Sequence, residues 1–217
     1  MIQKNNIDGI VLLDKPSMMS SNQAIQKIKR EFNLKKIGHT GTLDPLATGL
    51  LPLCLGKATR IARFLIDSDK TYHATIQLGE KTSTGDKEGE VIETSSVDLP
   101  DDSEVDQIIQ SFVGNQEQIP PMYSALKFKG QRLYKLAIKG IDVPRKSRSI
   151  KIHSIDLLSF GKNKLELVIK CSKGTYIRTL AEDIAREFQS VGHIDQLRRL
   201  NISCFGNQEM HSMKKIT

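Results

Sequence analysis

Residues 37–56 read IGHTGTLDPLATGLLPLCLG, an apolar and almost uncharged stretch broken by four glycines and two prolines. So many breakers exclude one continuous helix or strand. The apolar content argues equally against a solvated linker. The expectation is an ordered loop that passes close to the core. One acidic residue, Asp44, sits in its middle. From the residues alone Asp44 has two readings. Asp-Pro is a common turn opener, so the side chain can stabilise a turn or cap a helix. The other reading is that a carboxylate in so apolar a loop is there to be used.

On the N-terminal side, GIVLLD at 9–14 reads as a buried strand. Residues 20–32 read as a helix, capped by Ser20 or Ser21, with Ile25, Ile28 and Phe32 at helical spacing. On the C-terminal side, 57–66 is expected to be a short helix with Ile61 and Leu65 inward. KTYHATIQL at 70–78 alternates as a strand. The polar segment 81–90 reads as a turn before a strand, VIET. Ser103 and Asp106 suggest a capping box for a helix reaching Phe112. A further helix is expected over 131–139, and strands over 150–158 and 164–171. Leu165, Leu167, Ile169 and Cys171 should share one face of the second strand. GTYIRT leads into a helix striped by Ile177, Leu180, Ile184 and Phe188. LRRLNISCF reads as loop and strand. Strands and helices alternate without a βαβ cadence. The expected class is therefore α+β, one domain over 1–217 with a mixed, mostly antiparallel sheet flanked by helices and loops.

Composition narrows the function. The 217 residues are 38% hydrophobic and 26% charged, as in water-soluble globular proteins. No stretch approaches the roughly 20 apolar residues of a membrane helix, so no membrane partner is expected. The N-terminus carries no secretory h-region, and a cytoplasmic location is the expectation. Cys54, Cys171 and Cys204 are far apart and unpaired in pattern, which argues against disulfides and zinc ribbons. The five histidines show no metal-binding spacing, and no phosphate loop of the G-x-x-x-x-G-K-[ST] type is present. Neither metal nor cofactor is expected. The net charge of +7 and pI near 9.3 favour a polyanionic partner. Lys57, Arg60, Arg198 and Arg199 are candidate phosphate contacts, and 144–151 is a basic run without an acidic residue.

GHTGTLDPLATGLLPLCLGKATR at 38–60 resembles the active-site segment of the TruB family of tRNA pseudouridine synthases. GIVLLDKPSMMSSN at 9–22 resembles that family's N-terminal motif, and KTYHATIQLG at 70–79 its tyrosine-bearing strand. PPMYSALKFKGQRLYKLAIKG at 120–140, KGTYIRTLAEDI at 173–184 and HIDQLRRL at 193–200 resemble three further blocks. The blocks stand in the family's order over nearly the whole chain.

The resemblance implies the pseudouridine synthase catalytic fold and an enzyme that isomerises uridine in the T-arm loop of tRNA, at the position usually numbered 55. It implies that Asp44 is the catalytic aspartate, that Tyr72 packs on the target base, and that Arg178 pairs with the aspartate. Tyr176 and Leu197 would line the uridine pocket, and His39 would lie near the flipped nucleotide. The chemistry suits these types. The N1–C1′ bond breaks, uracil turns, and C5 bonds to C1′. A stacked base cannot do this and must be everted, at a cost of a few kcal/mol. A carboxylate serves as nucleophile or stabilises the electron-poor sugar. Arginine, always charged and bidentate, keeps a carboxylate ionised against desolvation.

Family members usually continue into a C-terminal PUA-like domain, and none is expected within this chain. Weaker RNA affinity would follow. The expected partner is the tRNA T-arm, bound by a monomer with no protein partner required. A non-catalytic RNA-binding protein on the same scaffold is a second reading. The guide-RNA-dependent branch of the superfamily is a third.

Overall fold

The computed structural model describes residues 5–98, 100–206 and 210–216. In chain order the elements begin with β1 (Gly9–Lys15), α1 (Ser21–Glu31), β2 (Ile37–His39) and β3 (Thr48–Leu55). A 3-10 turn (Gly56–Arg60), α2 (Ala62–Ile66), β4 (Lys70–Leu78), β5 (Glu80–Thr82) and β6 (Val91–Thr94) follow. Next are α3 (Asp102–Ser111), β7 (Gly114–Gln118), β8 (Lys127–Phe128), β9 (Gln131–Arg132) and α4 (Leu133–Ala137). The chain then runs through β10 (Arg148–Gly161), β11 (Lys164–Cys171), α5 (Ile177–Glu187), β12 (Gly192–Ile202), β13 (His211–Ser212) and α6 (Met213–Ile216). Two compact units result. One comprises residues up to His73 together with those from Gln196 onward, and the other is Ala74–Asp195.

The first unit is built on β3. It pairs antiparallel with β1 along its full length, from Gly9 opposite Leu55 to Lys15 opposite Gly49. On its other side β2 pairs antiparallel with residues 53–55, and the end of β12 pairs parallel with Thr48 and Gly49. The short β13 lies parallel to β1. Leu50, Leu51, Leu53 and Cys54 of β3 are wholly buried. Such a strand, covered on both faces, reads as a continuous apolar run with no alternation. Helix α1 buries Ala24, Ile25 and Ile28. Its N-cap is Ser20, which forms a reciprocal capping box with Gln23. Leu65 joins Leu50 and Ile202 in a cluster edged by Ile10, Leu12, Phe205 and Met210.

In the second unit the order is β4, β11, β10, β7, and β10 is antiparallel to both its neighbours. Ala74, Ile76 and Leu78 of β4 are wholly buried, as are Leu165, Leu167, Ile169 and Cys171 of β11. The inward stripe of α5, Leu180, Ala181, Ile184 and Ala185, and Val105 and Ile109 of α3 complete this core. Two small hairpins, β5–β6 and β8–β9, stand apart from these four strands. The class is the one expected, α+β with mixed and mostly antiparallel pairing. Among the described residues no helix is long and apolar enough to cross a membrane.

Three local expectations are corrected. The back half of the 37–56 stretch is a strand, Thr48–Leu55, with Pro52 inside it. Ile61 does not face inward but is 44% exposed, because the 3-10 turn offsets the helical phase and leaves Leu65 as the buried residue. The cap of α3 is Asp101, not Ser103. The Asp101 carboxylate accepts from the amides of Ser103 and Glu104, which outcompetes the hydroxyl two residues later.

Candidate active site

The loop between β2 and β3 carries Asp44, and its backbone is braced by side chains at most of its turns. Thr40, wholly buried, donates its amide and hydroxyl to the Pro52 carbonyl. Gly41 donates its amide to Nδ1 of His39 at 3.2 Å, and its carbonyl accepts from the Arg199 guanidinium, also at 3.2 Å. The Ser21 hydroxyl exchanges two bonds with the Leu43 backbone, at 2.9 and 3.0 Å. The Lys15 ammonium reaches the Pro45 carbonyl, and Ser17 the Leu46 carbonyl. The Ala47 amide closes a turn on the Asp44 carbonyl. Asp44 itself is half-buried. The loop is thus irregular but fixed, and it presents one carboxylate.

Lys15 is wholly buried, and its Nζ also donates to the carbonyls of Pro16 and Met19. Burying an ammonium is costly unless its donors are used. Here they tie the segment after β1 to the residue that follows Asp44.

The other expected residues of the first unit lie on strands. Tyr72 is on the buried face of β4 and is 9% exposed. Leu197 is buried on β12. His39 ends β2, and its Nδ1 acts as acceptor toward Gly41, which assigns the proton of the neutral ring to Nε2. Burial first, and the Arg199 guanidinium second, hold the His39 imidazole below its ordinary pKa.

Tyr176 and Arg178 belong to the second unit, at the start of α5. Tyr176 is the N-cap residue, and Gln118 of β7 brackets its backbone, accepting from its amide at 2.8 Å and donating to its carbonyl at 3.1 Å. Arg178 is 5% exposed. Its guanidinium donates to the carbonyls of Thr84 and Tyr123, each at 2.7 Å. The Asp86 carboxylate lies 3.8 Å from it and is itself 4% exposed. Asp86 also accepts from the Thr84 hydroxyl and the Glu88 amide. The hairpin before β6 and the segment after Pro121 therefore converge on Arg178. Thr84 and Tyr123 also line a cleft of about 770 Å³, whose α5 wall carries Glu182 and Asp183. Burial pushes both of those carboxyls above their ordinary pKa.

Asp86 does not stand out in the sequence, because KTSTGDKEGE looks like a solvated turn. The available signal was its likeness to Asp44, an aspartate among glycines and threonines. Of the four candidate phosphate contacts, Lys57 and Arg60 are exposed. Arg198 makes a bidentate pair with Asp14, both bonds at 3.0 Å. Arg199 is 1% exposed and so is not a surface phosphate contact. Among the described residues no group of three His, Cys, Asp or Glu could hold a metal ion.

Known proteins resemble this chain over most of its length. Residues 29–177 match the TruB family pseudouridylate synthase N-terminal domain, a span that includes the Asp44 loop and the Tyr72 strand. The chain is 51% identical over 214 residues to tRNA pseudouridine synthase B of Nitrosococcus oceani, covering 99% of this chain and 70% of that one. It is 48% identical to the protein of the same name from Neisseria meningitidis serogroup B, covering 99% and 69%. Among solved structures, a Cbf5–Nop10–Gar1 complex superposes with a TM-score of 0.75 at 26% identity, covering 98% of this chain and 59% of that one. An H/ACA RNP bound to a substrate RNA containing 2′-deoxyuridine gives 0.70 at 28%, covering 95% and 51%. With more than half its length matched and half its residues shared with members, the chain belongs to the TruB family of pseudouridylate synthases.

Proposed function

We propose that this chain isomerises uridine to pseudouridine in the T-arm loop of tRNA, at the position usually numbered 55, with Asp44 as the catalytic carboxylate. The observation that carries the reading is a rigid loop that presents a single carboxylate, with neighbouring backbone groups held by Lys15, Ser17, Ser21, His39 and Arg199. The relatives' name, tRNA pseudouridine synthase B, supplies the substrate class.

In this reading the target uridine is everted into the protein. Asp44 attacks at the sugar C1′ or the uracil C6, and either route begins from an ionised, positioned carboxylate. The N1–C1′ bond breaks, the uracil turns, C5 joins C1′, and the C5 proton leaves while N1 gains one. Arg178 keeps the carboxylate charged. The Tyr72 ring stacks on uracil with its hydroxyl near the departing C5 proton. Tyr176 and Leu197 hold the base by packing, and His39 stands beside the everted nucleotide. The protein acts as a monomer in the cytoplasm, without a protein partner, metal or cofactor. The surplus of +7 draws the polyanionic RNA.

Incubation with a T-arm minihelix, followed by chemical mapping of pseudouridine, tests this. Product at the T-loop uridine is expected from the wild type. Asp44→Asn should give none while binding RNA nearly as well. Folded wild-type protein that makes no product overturns the proposal.

A further inference from the structure

We propose that Arg199 is a positioning residue for the reaction, a buried clamp that fixes both arms of the Asp44 loop before RNA arrives. The inference rests on the assignment of Asp44 as the catalytic carboxylate and extends it.

Arg199 lies on β12 opposite Gly49 of β3. Only glycine permits this approach: a Cβ on Gly49 would fall 2.3 Å from the Arg199 carbonyl oxygen, and its φ is +97°. From there the side chain runs back into the unit. Its Nε donates to the Leu50 carbonyl at 2.7 Å, and one terminal nitrogen donates to the Gly41 carbonyl at 3.2 Å. Those two carbonyls stand on either side of Asp44 in the chain. The guanidinium is therefore a cross-brace between the entry of the loop and the strand that leaves it.

The energetics support a role for the cation. Removing a guanidinium from water costs several kcal/mol, which an ion pair offsets only with good geometry and further hydrogen bonds. Among the described residues no carboxylate forms an ion pair with Arg199, whereas the adjacent Arg198 has Asp14. Backbone carbonyls are its acceptors. A methionine there would spare the desolvation of a cation but would take this donor away from the Leu50 and Gly41 carbonyls, so the planar fork acts through the carbonyls it holds. Gly41 is then fixed through both of its backbone groups, the amide by His39 and the carbonyl by Arg199. Its φ of +129° is a conformation that glycine adopts without strain.

The test compares wild type, Arg199→Lys, Arg199→Met and Asp44→Asn on a T-arm minihelix. It measures single-turnover rate at saturating RNA, RNA affinity, and amide hydrogen exchange of Gly41, Leu43 and Ala47. Lysine keeps the charge but replaces the two separate donors, Nε and a terminal nitrogen, with a single nitrogen. Arg199→Lys should slow the single-turnover step by about 10- to 100-fold, leave affinity within about twofold, and speed exchange at the three amides. Arg199→Met should do the same or more. If it does not fold, Arg199→Lys decides. A folded Arg199→Lys protein with a rate within about twofold of wild type, or with unchanged exchange, overturns the clamp. Weakened affinity with an unchanged saturated rate also overturns it, since Arg199 would then be an RNA contact. Asp44→Asn separates the two failures. If it keeps the wild-type rate, the assignment of Asp44 is wrong whatever the Arg199 variants do.

Discussion

The wholly buried Nζ of Lys15 donates to the carbonyl of Pro45 at 3.1 Å, one residue beyond Asp44. Together with its bonds to Pro16 and Met19, this makes the lysine a knot between the end of β1 and the loop. Lys15→Met keeps the volume and removes the donors. Buried acceptors left without a donor cost about 1–3 kcal/mol. Lys15→Met is expected to lower the melting temperature and slow the single-turnover step, with RNA affinity little changed. An unchanged melting temperature would show that the three carbonyls do not need the ammonium.

Asp86 and Arg178 are both buried, 3.8 Å apart, and held by the backbone around them. Removing one charge of a buried pair typically costs about 3–5 kcal/mol. Asp86→Asn retains the acceptor for the Thr84 hydroxyl and the Glu88 amide, so the cost should fall at the low end of that range. Activity should fall further than stability alone explains, because Arg178 loses a group that aims it. Denaturant titration beside the single-turnover assay checks both. Wild-type activity in the folded variant would remove Asp86 from the account.

Gly49→Ala places a Cβ 2.3 Å from the Arg199 carbonyl oxygen and 3.0 Å from the Arg199 amide, with φ at +97°. Both contacts are to backbone and cannot relax by a rotamer change. The left-handed backbone alone costs a non-glycine residue about 1–2 kcal/mol, and the clash adds to it. The variant should unfold at markedly lower denaturant than wild type or fail to accumulate as folded protein. A midpoint equal to wild type would mean that β3 and β12 are not so closely apposed.

His39 gives a pH dependence with a definite sign. Its folded pKa is held below the ordinary 6.5 by burial and then by Arg199. As pH falls through that ordinary value, the unfolded chain takes up a proton that the folded chain refuses. Stability due to His39 is therefore fully present above it and is lost as pH falls toward the folded value. Protonation at Nδ1 would also remove the acceptor for the Gly41 amide. Between about pH 7.5 and 5.5 the wild type should lose more melting temperature than His39→Gln, which does not titrate. Equal losses would show that His39 is free to protonate in the fold.

The elements legible in the sequence are those whose partners repeat at a local period. Leu165, Leu167, Ile169 and Cys171 alternate and are all wholly buried on β11. Ile25 and Ile28 mark the buried face of α1. β3 escaped because Gly49 and Pro52 look like breakers, and a strand buried on both faces has no alternation to betray it. Both exceptions have tertiary causes. Gly49 makes room for β12, and the Pro52 carbonyl is used by Thr40. The cap of α3 is ambiguous in the sequence for a smaller reason, since aspartate and serine both serve as caps and stand two residues apart.

The sequence by itself determined the family, the carboxylate at 44, and the residue types at 39, 72, 176, 178 and 197. Those are properties of motifs a few residues long. Only the tertiary structure decided which basic side chains are surface and which are buried. Arg198 and Arg199 are neighbours of one type, yet one meets Asp14 and the other the carbonyls of Leu50 and Gly41. Those partners lie more than 140 residues away in the chain. A long charged side chain is buried only where distant donors and acceptors converge to offset its desolvation, and no local pattern records that convergence.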